Sequence, residues 1–149
     1  MENSPAIFPG GTHVDERGSL KFNNGLSQLG FDVKRFFLIE PKGFRGWNGH
    51  REEEKLFTVV NGCVTICVVK PDSWENPSTM LPISEYVLVN NGDTLYVPGG
   101  YATAFLGPEG TNTVLVHSNK SLEESIEDSY KFPPTYWYGE PTLSGNMAT

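Results

Sequence analysis

RGWNGHREEEKLFTVVNG, residues 45–62, is the stretch on which the reading of this chain turns. Its second half, LFTVV, is built of branched and aromatic residues that suit a pleated, half-buried surface, so a β-strand is predicted there. Its first half crowds Arg45, His50, three glutamates (Glu52, Glu53 and Glu54) and Lys55 into the turn that feeds the strand. Cation, imidazole, carboxylate and amine at the mouth of a β-structure point to a ligand site.

The flanking sequence has the same texture. Sixteen glycines and eleven prolines are scattered along the chain and punctuate short apolar runs at intervals of about ten residues, the spacing of a sandwich or barrel. The fold class is therefore all-β. Residues 1–11 read as a loose arm, and DERGSL places a turn at Asp15–Gly18 before a short strand. FDVKRFFLIEP reads as a strand stopped by Pro41. VVNGCVTICVV reads as a strand pair around Gly62, and PDSWENPSTMLPI as an exposed loop. Asn91-Gly92 between apolar runs predicts a hairpin, and TNTVLVHSN a last strand. SLEESIEDSYKF predicts a short helix, with Ser121 as N-cap and Glu124 closing a capping box. The segment from 133 to 149 reads as an irregular tail.

With 149 residues, the chain has the length of one domain, so 1–149 is read as a single unit. A net charge of −7 argues against nucleic acid or an anionic membrane as partner, since both are met by clustered Lys and Arg. An anionic ligand would have to be held by a few local cations. Cys63 and Cys67 fall in one apolar run, and residues four apart on an extended strand are about 13 Å from one another, beyond disulfide reach. Reduced thiols, no apolar run of membrane-spanning length and no basic-then-apolar leader together predict a cytoplasmic protein.

The frame of the opening stretch, together with the later turn PGGYATAF, resembles the two signature segments of the cupin superfamily, small jelly-roll β-barrels. In the first segment of that family a His-x-His pair is followed by a glutamate and, seven residues on, a glycine; in the second, a Pro-x-Gly turn precedes another histidine. Here Asn48 stands at the first histidine, His50 at the second, Lys55 at the glutamate seven before Gly62, and Thr103 at the last histidine. One imidazole among four positions cannot hold a transition metal by the usual ligand count. The resemblance thus implies a metal-free cupin without an organic cofactor.

Within metal-free cupins the chain looks similar, from Asp15 to about Phe132, to the 3,4-ketoisomerases and 3,5-epimerases of dTDP-4-keto-6-deoxy sugars. The pieces are DERGSL, FDVKRFFLIEP, RGWNGH with the strand pair that follows it, LYVPGG and SLEESIEDSYKF. Lys55 is the epimerase-like element in a ketoisomerase-like frame. The resemblance implies a nucleotide-sugar ligand, a homodimer, and a reaction in which a base removes a proton next to the ketone while cations hold the enolate. It makes His50 the base and Lys55 and Arg45 the enolate stabilisers. Arg17 and Arg35 become phosphate ligands, Asn48 and Glu53 substrate-binding groups, Tyr101 a residue of the turn above the pocket, and His117 an acid on the last strand. Trp47 is a candidate to stack on base or sugar, and Phe36 and Phe37 are expected in the core or pocket wall. Asn48 cannot accept a proton, so the alternative is a nucleotide-sugar-binding cupin that lacks turnover.

Overall fold

The computed structural model describes residues 4–138. Twelve strands run in chain order: Ala6–Phe8 (β1), Gly11–Asp15 (β2), Gly18–Phe22 (β3), Arg35–Ile39 (β4), Gly43–His50 (β5), Lys55–Asn61 (β6), Cys63–Val69 (β7), Ser84–Val89 (β8), Thr94–Val97 (β9), Tyr101–Gly107 (β10), Thr113–Ser118 (β11) and Ser129–Lys131 (β12). A 3-10 turn covers Leu26–Leu29, and two short helices cover Leu122–Glu127 (α1) and Thr135–Tyr138 (α2). The strands form two five-stranded sheets, ordered β1-β9-β6-β11-β4 and β12-β5-β10-β7-β8, with β2-β3 as a separate hairpin. The all-β sandwich expected from the sequence is what folds.

Alternation on the strands builds the core. Phe57 and Val59 of β6, Val114 and Val116 of β11, Val64, Ile66 and Val68 of β7, and Phe105 of β10 meet between the sheets with Leu88, Leu95 and Val97. Phe57 and Phe105 cross it edge to face, with centroids 5.4 Å apart, an arrangement that favours the ring quadrupoles. At one end this filling gives way to polar side chains on the same inward-facing positions: Arg35, Asn48, His50, Lys55, Thr103 and Ser118.

Two turns share one feature, and at Asn91-Gly92 it departs from the hairpin read in the sequence. Around Gly62 the chain passes from β6, which pairs with β9 and β11, to β7, which pairs with β10 and β8. Around Asn91-Gly92 it likewise passes from β8 to β9, which lie in opposite sheets. Both are corners of the sandwich rather than hairpins. Gly62 has φ +77°, and a β-carbon there would lie 2.2 Å from Asn112 Oδ1, whose carboxamide caps the Cys63 N–H at 3.0 Å.

The ends are also more ordered than expected. Residues 6–8 of the predicted loose arm pair antiparallel with β9, because the edge of that sheet supplies unpaired backbone groups. In the predicted irregular tail, Trp137 is 8% exposed and packs edge to face on Trp47. Its indole N–H donates to the Ser78 carbonyl at 2.9 Å. Residues 139–149 of that tail lie outside the described residues. Helix α1 carries the expected capping box between Ser121 and Glu124.

Replacement of Gly62 by Ala should be destabilising by more than the roughly 1–2 kcal/mol that an L side chain loses in the left-handed region, because the Asn112 contact is lost as well. Denaturant unfolding of the G62A variant against the wild type measures this.

Candidate active site

A bulge in the β5–β10 ladder aims the site. Thr103 pairs with Asn48 but Ala104 pairs with Gly46, so Trp47 is the extra residue. Its peptide bond with Gly46 is cis. A β-carbon at Gly46 would sit 2.2 Å from the Ala104 β-carbon, so glycine allows the close approach of the two strands. The extra residue keeps Arg45, Asn48 and His50 on the interior face while Trp47 turns to the opposite one. There Trp47 is 2% exposed, packed with Phe44 and Trp137, and donates its indole N–H to Pro134 at 3.2 Å. It packs as a core residue of the outer layer and also contributes to the lining of the cavity.

The interior polar end opens into a cavity of about 610 Å³, within the range typical of small-molecule sites. Arg35, Arg45, Asn48, His50, Lys55, Thr103, Phe37, Phe105 and Lys131 are among its lining residues, with Glu40 as the lining carboxylate. Five of the residues singled out in the sequence lie on this cavity: Arg35, Arg45, Asn48, His50 and Lys55. Lys131 was missed. It arrives through β12, which pairs with β5 so that Lys131 faces Asn48.

Beneath the cavity lies a buried charged cluster. Lys55 Nζ is 2.8 Å from His50 Nδ1, and His50 Nε2 is 3.2 Å from Glu53 Oε1. Lys55 as an ammonium can only donate, so Nδ1 is then the acceptor, and the ring proton of neutral His50 sits on Nε2, facing the Glu53 carboxylate. That nitrogen is buried and lacks an aligned hydrogen-bond partner among the described residues, so Glu53 acts on it through charge. Glu53 is 1% exposed. It accepts from Arg35 at 2.8 Å, from Ser125 Oγ at 2.7 Å, and from Ser118 Oγ. The sequence reading made Glu53 a substrate-binding group; the structure places it beneath the cavity, behind its lining residues.

The loop carrying Glu53 is held from outside by another carboxylate. Asp128 accepts from the backbone N–H groups of Arg51, Glu52 and Glu53 at 2.8–3.0 Å. Ser118, Ser125 and Asp128 were not singled out in the sequence. The available signal was the placement of a serine within an acidic helix, since Ser125 is the residue that α1 buries.

Burial and neighbouring charge set the protonation states. Burial, and then the adjacent Lys55, push His50 down to about 4, with Glu53 opposing. Burial also pushes Lys55 down to about 8, against the pull of Glu53. For Glu53, burial acts upward, but Lys55, the two serine hydroxyls and His50 together hold the carboxyl below its ordinary value. At neutral pH the cluster is thus a neutral imidazole between an amine poised to titrate and a carboxylate.

The remaining sequence candidates lie elsewhere. Arg17 is 83% exposed on the β2–β3 hairpin and pairs with Asp15 at 2.7 Å. Tyr101 stands across from His50 in the ladder but opens onto a separate cleft with Ser4, Pro5 and Tyr86. His117 is paired with Leu56 and Phe36 on the outer face of its sheet, since the inward positions of β11 are Val114, Val116 and Ser118. Phe36 shares that outer face and is 66% exposed, whereas Phe37 packs on the core.

Two signature segments on adjoining strands of a two-sheet β-sandwich, opening on one cavity, coincide with a family model described as cupin that matches residues 2–131. The chain belongs to the cupin family. Among curated proteins, none matches it in sequence. Among solved structures, this cupin is similar to a histidine-to-asparagine variant of a 3,4-ketoisomerase from Thermoanaerobacterium thermosaccharolyticum, in complex with TDP-4-keto-6-deoxyglucose. The identity is 22%, with coverage of 91% of this chain and 93% of that one and a TM-score of 0.69. An epimerase from Mycobacterium tuberculosis superposes with TM-score 0.71 at 21% identity, covering 95% and 72%. A 3'-monoepimerase from Streptomyces bikiniensis in complex with dTDP-quinovose superposes with TM-score 0.70 at 16% identity, covering 89% and 71%. At these identities the likeness establishes the fold.

Many cupins hold a metal at the positions of the signature. In this chain those positions carry Asn48, His50, Lys55 and Thr103, and among the described residues no group of three His, Cys, Asp or Glu side chains converges. A lysine amine at 2.8 Å from the remaining imidazole is a poor companion for a cation.

A histidine that binds its proton more weakly in the folded state draws stability away as it is protonated, so stability should fall as pH drops from 6.5 toward about 4. His50→Gln, which can still accept from Lys55, is expected to flatten that part of a Tm-against-pH profile, leaving the steeper loss that begins where Glu53 protonates. The effect at stake is on the order of 3 kcal/mol for a shift of this size.

Proposed function

We propose that this cupin is a metal-independent isomerase or epimerase of a nucleotide-linked 4-keto-6-deoxy sugar of the dTDP type, acting by proton abstraction next to the ketone. The observation that carries this reading is the charge of the cavity. In a chain of net charge −7, Arg35, Arg45, Lys55 and Lys131 line one pocket, with Glu40 as the lining carboxylate. Arg35 is engaged by Glu53 and by the Lys120 carbonyl. Arg45 and Lys131 therefore remain at the rim for the diphosphate, where a guanidinium fork and an ammonium suit phosphate oxygens.

Deeper in, Asn48 accepts from Ser129 Oγ at 3.0 Å. What it offers a ligand is its amide N–H, a donor for a hydroxyl or for an enolate oxygen. The His50–Lys55 pair supplies the proton chemistry, and the desolvated surroundings strengthen every charge-charge interaction in the transition state. The relatives' ligands support this substrate class: one is bound to TDP-4-keto-6-deoxyglucose and another to dTDP-quinovose.

Incubation with TDP-4-keto-6-deoxyglucose in deuterated water should introduce deuterium at ring carbons next to the ketone. Arg45→Ala should weaken TDP binding by roughly tenfold or more, as expected for loss of a charge-assisted contact. Mass spectrometry and thermal-shift titration read the two results, and absence of exchange with any nucleotide ketosugar would sink the catalytic reading. Asn48, in place of a basic histidine, favours a second reading in which the pocket binds a nucleotide sugar without turnover. Stabilisation by TDP in the absence of exchange is its signature.

We also propose a homodimer in the cytoplasm, with the N-terminal segment exchanged so that Arg17 approaches the neighbouring cavity. Phe36 at 66% and Leu38 at 58% exposure leave an apolar strip on the outer face of edge strand β4, the kind of surface a second subunit covers. Light scattering that reports a monomer at micromolar concentration would refute this.

A further inference from the structure

A base needs a lone pair directed at the proton it takes, and in this cavity His50 has none to spare. Its Nδ1 accepts from Lys55 at 2.8 Å. The proton this leaves on Nε2 faces the Glu53 carboxylate at 3.2 Å, in the interior of the protein. Asn48 is an amide and Thr103 a neutral hydroxyl, neither of them a base. Arg35 is turned to Glu53 and the Lys120 carbonyl, while Glu40 and Lys131 are lining groups outside the buried cluster.

Lys55 differs from all of these. It begins β6, is 7% exposed, lines the cavity, and directs only one N–H toward His50. Its remaining valences are available to the pocket.

We propose that Lys55, rather than His50, takes and returns the proton, so that a single amine working on one face of the sugar moves the ketone between neighbouring carbons. The inference rests on the nucleotide-sugar reading of the same site. In atoms, the neutral amine of Lys55 accepts the C3 proton and the C3–H electron pair enters the ring. The 4-keto oxygen becomes the enediolate oxygen, met by the Asn48 amide N–H and the new ammonium. The ammonium then returns a proton to C4 from the same face, and the O3 hydroxyl proton passes to O4. The product is the 3-keto sugar, with Lys55 neutral again and nothing oxidised or reduced overall.

His50 is a positioning residue in this scheme. It orients the amine and, as an uncharged acceptor, does not oppose formation of the ammonium as an imidazolium would. Burial, which brings Lys55 down to about 8, supplies a neutral fraction near physiological pH. Inversion at a ring carbon would require an acid on the opposite face, which a one-base site does not supply.

The test uses TDP-4-keto-6-deoxyglucose deuterated at C3, in ordinary water, in single turnover. The wild type is expected to deliver part of the label to C4 of the product, up to roughly one third, because the ammonium carries three equivalent protons. Its rate should rise with pH through about 8.

Lys55→Met should lose roughly 10²–10⁴-fold in rate while its thermal shift with TDP persists, which shows that the variant is folded. His50→Gln should stay within about tenfold of wild type and keep the limb near pH 8, as expected for positioning. If Lys55→Met keeps its rate and His50→Gln loses it, the proposal falls and the nucleotide-sugar reading survives with His50 as base. Complete loss of label to water, with a rate independent of pH between 7 and 9, also overturns it. A wild type with no turnover overturns both.

Discussion

The carboxylate of Glu53 is the interaction on which the site depends. It is a full negative charge at 1% exposure, and taking a carboxylate out of water costs several kcal/mol unless it is paired and hydrogen-bonded. Here it is met from three elements: Arg35 of β4, Ser118 of β11 and Ser125 of α1. His50, at the end of β5 in the other sheet, stands against it as well. One anion thus joins both sheets and the helix at the open end of the sandwich. Loss of the carboxylate would leave Arg35 with the Lys120 carbonyl as its remaining partner and would take from His50 its nearest counter-charge. The site and the closure of the fold are therefore the same set of contacts.

The depressed proton affinity of Lys55 follows from the same construction. An isolated ammonium at that depth would be still harder to protonate. With Glu53 nearby but already saturated by three other donors, the pull is partial, and burial prevails. His50 stays neutral for a related reason, since Lys55 occupies its Nδ1 and repels a second positive charge. Asp128 contributes by fixing the backbone of residues 51–53, which leaves Glu53 little freedom to follow a ligand. A rigid loop of this kind suits a reaction in which the reacting groups must be aligned before the substrate arrives.

Much of the fold was legible because alternation and turn residues are local signals. The strand pattern, the capping box of α1 and the frame of residues 45–62 all belong to that class. The corner at Asn91-Gly92 was misread as a hairpin because such a pair satisfies the same positive-φ requirement whether the next strand pairs with the last or crosses to the other sheet, and only tertiary packing separates the two outcomes. Arg35, Arg45, Asn48, His50 and Lys55 converged as the motif frame implied. His117 did not, because strand parity, rather than residue type, puts it on the outer face of β11; Tyr101 shares the inner face of β10 with Thr103 and Phe105 but sits at the start of the strand and opens onto a separate cleft. Helix α1 reverses the usual expectation outright. It buries Ser125 and leaves Leu122 and Ile126 at 60% and 65% exposure, so a hydrophobicity pattern would point its wrong face inward.

The replacement of Asn48 and Lys55 within the cupin frame is best understood as a pair. A histidine at 48 beside His50 would place two titratable rings near a lysine whose charge is already poorly solvated. An amide there adds a donor without adding charge. With Lys55 in place of a glutamate, the inner wall of the cavity presents an amine next to a neutral acceptor, and the anionic partner is withdrawn behind it as Glu53. Negative charge developing on a ligand oxygen then meets donors in front and no exposed carboxylate behind. That order of charges, from Arg45 and Lys131 at the rim through Asn48 and Lys55 to the shielded Glu53, suits an anionic ligand whose reaction deepens its charge at the inner end.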